Sequence, residues 1–227
     1  MKKFILSIAI FFLFSIESFT HVDHYAKYNY LEYELFRNNK SIGYHKYEFN
    51  RKGESLYISS EVKFKITKLG VDLYNYFASS DENYEKGAFK SYTSKTKQNK
   101  KDRYVNIKVD PSDKNLIIDG SSYKGKADKN FIVGTWWNHE IVKAKAQISG
   151  ISGRIIEQTV TFIGKEDVII GDKTYKTLHF NFKSSDETLP DSKKLNTDIW
   201  YEEKSYLWVK AAFDKTGYWE YRIKKVN

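Results

Sequence analysis

The sequence predicts an all-β protein: a large antiparallel sheet of up-and-down strands, strongly curved into an open or flattened barrel, with one short helical or irregular insert near residues 128–145. Three observations carry that prediction. Long stretches alternate apolar and polar residues with a period of two, as in a strand with one wet face. Turn-forming residues recur at hairpin spacing, which favours sequential antiparallel neighbours over crossovers. Aromatic residues are abundant, with 18 Tyr, 15 Phe and 5 Trp against only two prolines, and such side chains suit pleated, half-buried surfaces. A single sheet of about a dozen strands curls onto itself rather than staying flat.

Lys2 and Lys3 precede an apolar run from Phe4 to Ile16, broken only by Ser7 and Ser15. A basic start followed by an apolar stretch shorter than the ~20 residues of a bilayer span reads as a secretory signal peptide over residues 1–20. The expected location is the periplasm, and residues 21–227 are expected to form one domain. Cysteine is absent, so disulfides, thiol nucleophiles and thiolate metal sites are excluded.

Residues 28–36 and 40–49 flank a turn at Arg37-Asn38-Asn39-Lys40. In the first of these strands Leu31, Tyr33 and Leu35 oppose Glu32 and Glu34. Residues 55–67 alternate most cleanly: Leu56, Ile58, Val62, Phe64 and Ile66 share one face, Glu61, Lys63 and Lys65 the other. Lys68-Leu69-Gly70 turns the chain into 71–84, Gly87 turns it again, and 88–98 with 103–109 form a long hairpin. Leu116-Ile117-Ile118 reads as a short buried strand, with turns at Asp119-Gly120 and Lys124-Gly125. Past the insert, where Asn138 to Lys145 suit two helical turns, strands are expected at 155–163, 166–170, 173–183, 197–203, 206–213 and 218–225. Gly164, Gly171-Asp172 and Gly217 sit at the corners, and 184–196 is a polar loop with Pro190.

The charge is +9, but the lysines are scattered among acids instead of gathered on one element, so nucleic acid is not an expected partner. The basic hairpin tip of Lys95, Lys97, Lys100, Lys101 and Arg103 suggests a weak contact with an anionic membrane surface, set against the plainer reading of a solvated hairpin end.

The candidate site centres on Thr135-Trp136-Trp137-Asn138-His139-Glu140, where two of the tryptophans meet a histidine. His139 lacks metal-ligand spacing to His21, His24, His45 or His179, so neither a metal nor another cofactor is expected; Asn138 and His139 also suit helix capping. Asp198, Trp200 and Tyr201 complete the expected ligand-binding set with Trp136, Trp137, Asn138 and His139. Aromatic side chains of this kind either fill a core or line an apolar pocket with polar tips.

Several signals occur in order: Ile42-Gly43-Tyr44-His45, Trp136-Trp137-Asn138-His139, Ser152-Gly153-Arg154, Gly164-Lys165-Glu166-Asp167-Val168, Asp198-Ile199-Trp200-Tyr201 and Gly217-Tyr218-Trp219-Glu220-Tyr221. Together they resemble an uncharacterised family of exported proteins from Gram-negative bacteria, classed as a domain of unknown function. That family looks related to periplasmic open-barrel proteins, some of which carry lipids or lipoproteins. The resemblance implies a fold more firmly than an activity.

Three functions follow as expectations. The first is a periplasmic protein that binds or carries an apolar, lipid-like or amphipathic ligand in a curved-sheet cavity. The second is a cell-envelope interaction or assembly module without a small ligand. The third is a hydrolase built on His139 and Asp198, which lacks a Gly-x-Ser-x-Gly nucleophile elbow, so an enzyme is not the expected outcome.

Overall fold

The computed structural model describes residues 25–227; the expected signal peptide, His21 and His24 lie outside them. Fifteen strands follow one another: β1 (Tyr30–Arg37), β2 (Lys40–Lys52), β3 (Ser55–Lys68), β4 (Val71–Glu85), β5 (Ala88–Gln98), β6 (Lys101–Val109), β7 (Leu116–Gly120), β8 (Lys124–Ala127), β9 (Ile132–Val133), β10 (Ala146–Ile148), β11 (Ile155–Ile170), β12 (Lys173–Ser184), β13 (Asn196–Glu202), β14 (Trp208–Asp214) and β15 (Tyr218–Val226). They form one sheet ordered β8-β7-β6-β5-β4-β3-β2-β1-β15-β14-β13-β12-β11-β10-β9. This is an up-and-down meander whose first and last strands pair in its middle. All pairings are antiparallel except β9 with β10.

The alternation predicted from sequence sets the faces. Leu31, Tyr33 and Leu35 are fully buried on the concave side, joined by Tyr47, Phe49, Ile58, Phe182, Ile199, Tyr201 and Trp208 from neighbouring strands. Tight turns fix the register. Asn38 and Asn39, at φ 48° and 61°, close β1–β2, and Leu69 and Gly70, at 51° and 79°, close β3–β4; paired positive φ values match the right-handed strand twist.

The sheet is not closed by backbone pairing. Its two edges, β8 and β9, are joined by a short chain segment, and side chains seal the seam. Tyr92, Val105, Ile107, Leu116 and Ile118 from one edge pack with Val133 and Ile148 from the other. Tyr92 OH and Ser94 Oγ both donate to the Gly150 carbonyl, at 3.0 and 2.5 Å, and Ser122 N–H donates to the Ser152 carbonyl at 2.8 Å. Gly120 permits this approach, because a Cβ there would lie 2.6 Å from the Ser152 oxygen.

Three sequence expectations need correction. Gly164 is not a corner between two strands: β11 runs unbroken past it, with a register shift between Phe162 and Gly164, a bulge that bends a strand without ending it. Asp119-Gly120 and Lys124-Gly125 are strand residues, and the chain turns between them; Gly120 serves the seam. The insert forms a five-residue 3-10 helix, His139–Lys143, shorter than the expected Asn138 to Lys145, because its neighbours Ile132–Val133 and Ala146–Ile148 are drawn into the sheet.

Trp137 plugs one end of the barrel. Its ring is fully buried, edge-on to Tyr25, Phe49 and Tyr84 at 5.5–5.6 Å. Trp137→Ala is expected to lower unfolding free energy by about 3–5 kcal/mol through the cavity it leaves, read from urea denaturation; a loss below about 1 kcal/mol would show that the ring does not fill this end.

Candidate functional site

The insert enters the barrel through a tight turn. Trp137 N–H donates to the Thr135 carbonyl at 2.8 Å, with Trp136 at φ +61°. A bulky residue in the left-handed region costs about 1–3 kcal/mol and persists only where its surroundings hold it. Two hydroxyls do so here: Tyr47 OH donates to the Thr135 carbonyl at 2.6 Å and Tyr201 OH to the Trp136 carbonyl at 2.9 Å. The turn directs Trp137 down into the plug and Trp136 up against Trp208 and Tyr221.

Trp137 Nε1–H donates to Glu82 Oε1 at 3.0 Å, and Tyr84 OH donates to Glu82 Oε2 at 3.1 Å. Burial pushes the Glu82 carboxyl from its ordinary 4.5 up to about 7, against the pull of those two bonds and of the Thr135 hydroxyl. Below the 3-10 turn, Gln158 Nε2 donates to the carbonyls of Ile141 and Ala144, both at 3.1 Å, while its Oε1 accepts from Gln147 at 2.6 Å. Asn138 Oδ1 accepts from Glu140 N–H at 3.1 Å, capping the turn. His139 lies flat on Tyr206, ring centroids 4.4 Å apart, and pairs with Glu140 at 3.1 Å.

Above Trp136 lies a chamber of about 200 Å³, walled by inward residues of β2 to β5 and by segments 134–136 and 147–151. Its lining is rich in hydroxyls, including Ser60, Ser80, Ser94 and Thr96, and contains no Lys, Arg, Asp or Glu. Two buried polar atoms of its lining residues lack hydrogen-bond partners, Trp136 Nε1 and His45 Nδ1. The other His45 nitrogen meets Ser60 Oγ at 2.9 Å, and burial pushes the imidazole down to about 3, so it is uncharged at neutral pH. Tyr76, Ile151 and Tyr221 also border a second space of about 590 Å³ at the unplugged end, a funnel lined by Phe64, Ile66, Leu73, Tyr74, Phe213 and Trp219, with Arg37 and Lys215 at its edge.

The predicted site residues therefore fall into two groups. Trp136, Trp137 and Tyr201 meet inside the barrel, with Asn138 and His139 at the base of the plug. Asp198 and Trp200 face outward, because they alternate with Ile199 and Tyr201. On that outer surface His179 bridges two carboxylates, Nδ1 to Glu166 Oε1 at 2.9 Å and Nε2 to Asp198 Oδ1 at 3.0 Å. Its ring stacks on Trp200 at 4.2 Å, and the Trp200 indole donates to Glu166. Asp198 thus pairs with His179 and Asn181, on the face opposite the insert, and His139 and Asp198 form no relay. Among the described residues no group of three or more His, Asp or Glu side chains suits a metal ion. Sequence reasoning missed Glu82 as a plug residue and His45 as a chamber residue, although both fall on the inward parity of their strands.

A family model described as a domain of unknown function (DUF6134) matches residues 33–224. No curated protein matches the chain. A crystal structure of a beta-barrel-like protein of domain of unknown function DUF1849 from Brucella abortus superposes with a TM-score of 0.61 at 12% identity, over 87% of this chain and 96% of that one. A DUF1329 family protein from Desulfovibrio piger is 9% identical over 91% of each chain, but its TM-score of 0.21 carries no argument. The first likeness concerns the fold alone.

The two buried titrating groups act oppositely on stability. Glu82, raised from 4.5 to about 7, stabilises the fold most below pH 4.5 and loses that contribution as pH climbs to 7. His45, lowered from 6.5 to about 3, costs stability as pH falls below 6.5. Between pH 4.5 and 6.5 the slopes offset. In Glu82→Gln, which keeps an acceptor for Trp137, unfolding free energy relative to wild type is expected to rise with pH across 4.5–7 by about 3 kcal/mol in total; parallel curves from denaturant titrations would contradict it.

Proposed function

The chain belongs to the DUF6134 family of domains of unknown function, and from that premise we propose that it is an exported, periplasmic protein that binds and carries an amphipathic molecule inside its barrel. The observation that carries this reading is the chamber with unpartnered polar atoms joined to an apolar funnel. A buried polar group without a partner costs about 1–3 kcal/mol. Water alone satisfies such groups when the space is polar throughout, but the adjoining funnel is lined by Phe64, Ile66, Phe213 and Trp219. The pair suits a molecule with its polar end against Trp136 and His45 and its apolar body toward the open end.

The chamber also restricts the polar end. It holds no charged lining residue and an uncharged His45, and an ion taken into such a space without a counter-charge is strongly disfavoured. Trp136 Nε1 can only donate. The polar end is therefore neutral and offers an acceptor oxygen, as a hydroxyl, ester or amide does. The basic start and apolar run at residues 2–16 support export.

Native mass spectrometry of the protein purified from the envelope of its source cells, followed by organic extraction, tests the reading. A bound amphipathic molecule is expected, and Ala78→Leu, which projects into the chamber, should lower its occupancy at least tenfold, equivalent to about 1.4 kcal/mol, with the fold intact. A ligand-free protein that also fails to bind long-chain alcohols or monoacylglycerols would end the proposal.

A further inference from the structure

The β3–β4 hairpin outruns its neighbours. The last β2–β3 pair is Gly43 with Phe64, and the first β4–β5 pair is Tyr76 with Gln98. Residues 65–74 consequently form a two-stranded arm that neither flanking strand supports. At about 3.4 Å per residue it projects roughly 15 Å past the β5–β6 turn. That turn is clamped to the arm's base: Asn75 N–H donates to Asn99 Oδ1 at 2.8 Å, and Asn99 N–H to the Asn75 carbonyl at 2.9 Å.

The two faces of the arm differ. Ile66 and Tyr74 face the funnel and form part of its wall, and the half-exposed Leu73 also borders that space. Leu69, at the tip, is 94% exposed, and Val71 and Leu73 are 61% and 54% exposed. Around them lie Lys65 and Lys68 on the arm and Lys95, Lys97, Lys100, Lys101 and Arg103 on the clamped hairpin. Only Asp72 and Asp102 oppose them within these two segments, and Asp72 is already paired with Lys65 at 2.7 Å.

We infer that this arm docks the open end of the barrel on an anionic membrane surface, with Leu69, Val71 and Leu73 entering the interfacial region and the lysine collar meeting lipid phosphates. Exposed aliphatic side chains ringed by cations are what such an interface takes up: apolar burial and attraction to anionic headgroups add. The geometry extends the carrier reading, since docking there brings the funnel mouth to the bilayer. Its test is separate, because it uses vesicles and no cargo.

Co-sedimentation of the full chain with phosphatidylcholine vesicles, with and without about one-third phosphatidylglycerol, provides that test. Binding is expected to the anionic vesicles, weakened by high salt. Leu69→Asn combined with Val71→Asn should reduce it about tenfold, and Lys100→Glu with Lys101→Glu by a similar factor, with circular dichroism unchanged in both. Binding to neither vesicle, equal binding to both, or wild-type binding by the arm variant would overturn the inference. So would a concentration-dependent dimer abolished by Leu69→Asn, since the tip would then serve a second copy of the chain.

Discussion

Trp137 can occupy the bottom of the barrel only if its indole N–H finds an acceptor there, and Glu82 is the residue that supplies one. The bond couples two otherwise unrelated costs. A buried indole without a partner and a buried carboxyl without donors are each unfavourable; together, with the Tyr84 hydroxyl, they satisfy one another. The insert is fixed from below by this contact and from above by the hydroxyls of Tyr47 and Tyr201, which grip consecutive carbonyls. Trp136 is held in its left-handed turn as a result, and its position defines the floor of the chamber.

The rest of the architecture follows from a sheet that curls without closing its ladder. Curling leaves an interior to be filled, and the chain fills it unevenly. Around Trp137 the packing is aromatic. Above Trp136 the walls change to hydroxyls and an uncharged histidine, and nearer the open end they change again to Phe64, Phe213 and Trp219. The seam between β8 and β9 is bridged by side chains and by the carbonyls of Gly150 and Ser152. Outside, the Glu166–His179–Asp198 cluster braces β11, β12 and β13 through their outward residues. It lies on the opposite face of the sheet from the chamber.

Much of this was legible in the sequence. Alternation placed Leu31, Tyr33 and Leu35 inside, Asn38-Asn39 and Leu69-Gly70 marked hairpins, and the double tryptophan in the one stretch without alternation marked the plug. The candidate site was only half legible. Parity alone separates Asp198 and Trp200 from Tyr201, because adjacent strand residues face opposite ways, and grouping all three in one pocket overlooked that rule. The same rule puts Glu82 on the inward face with Tyr76 and Tyr84. What parity does not give is which distant strands become neighbours: the seam from Gly120 to Ser152 depends on chain packing, and the pairing of His179 with Asp198 depends on a register set across the long 184–196 loop. Glycines at 120 and 164 look like turn signals in a sequence, whereas one permits a close approach and the other a bulge.

On the proposed reading, the interior above Trp136 is a binding site and not a packing remainder. A high-resolution crystal structure of the protein isolated from its own cell envelope tests it most directly. The account predicts elongated density beginning within hydrogen-bond distance of Trp136 Nε1 and His45 Nδ1 and running past Tyr76 and Tyr221 toward Trp219. Side chains collapsed into the chamber, with those two nitrogens bonded to protein groups, would contradict it.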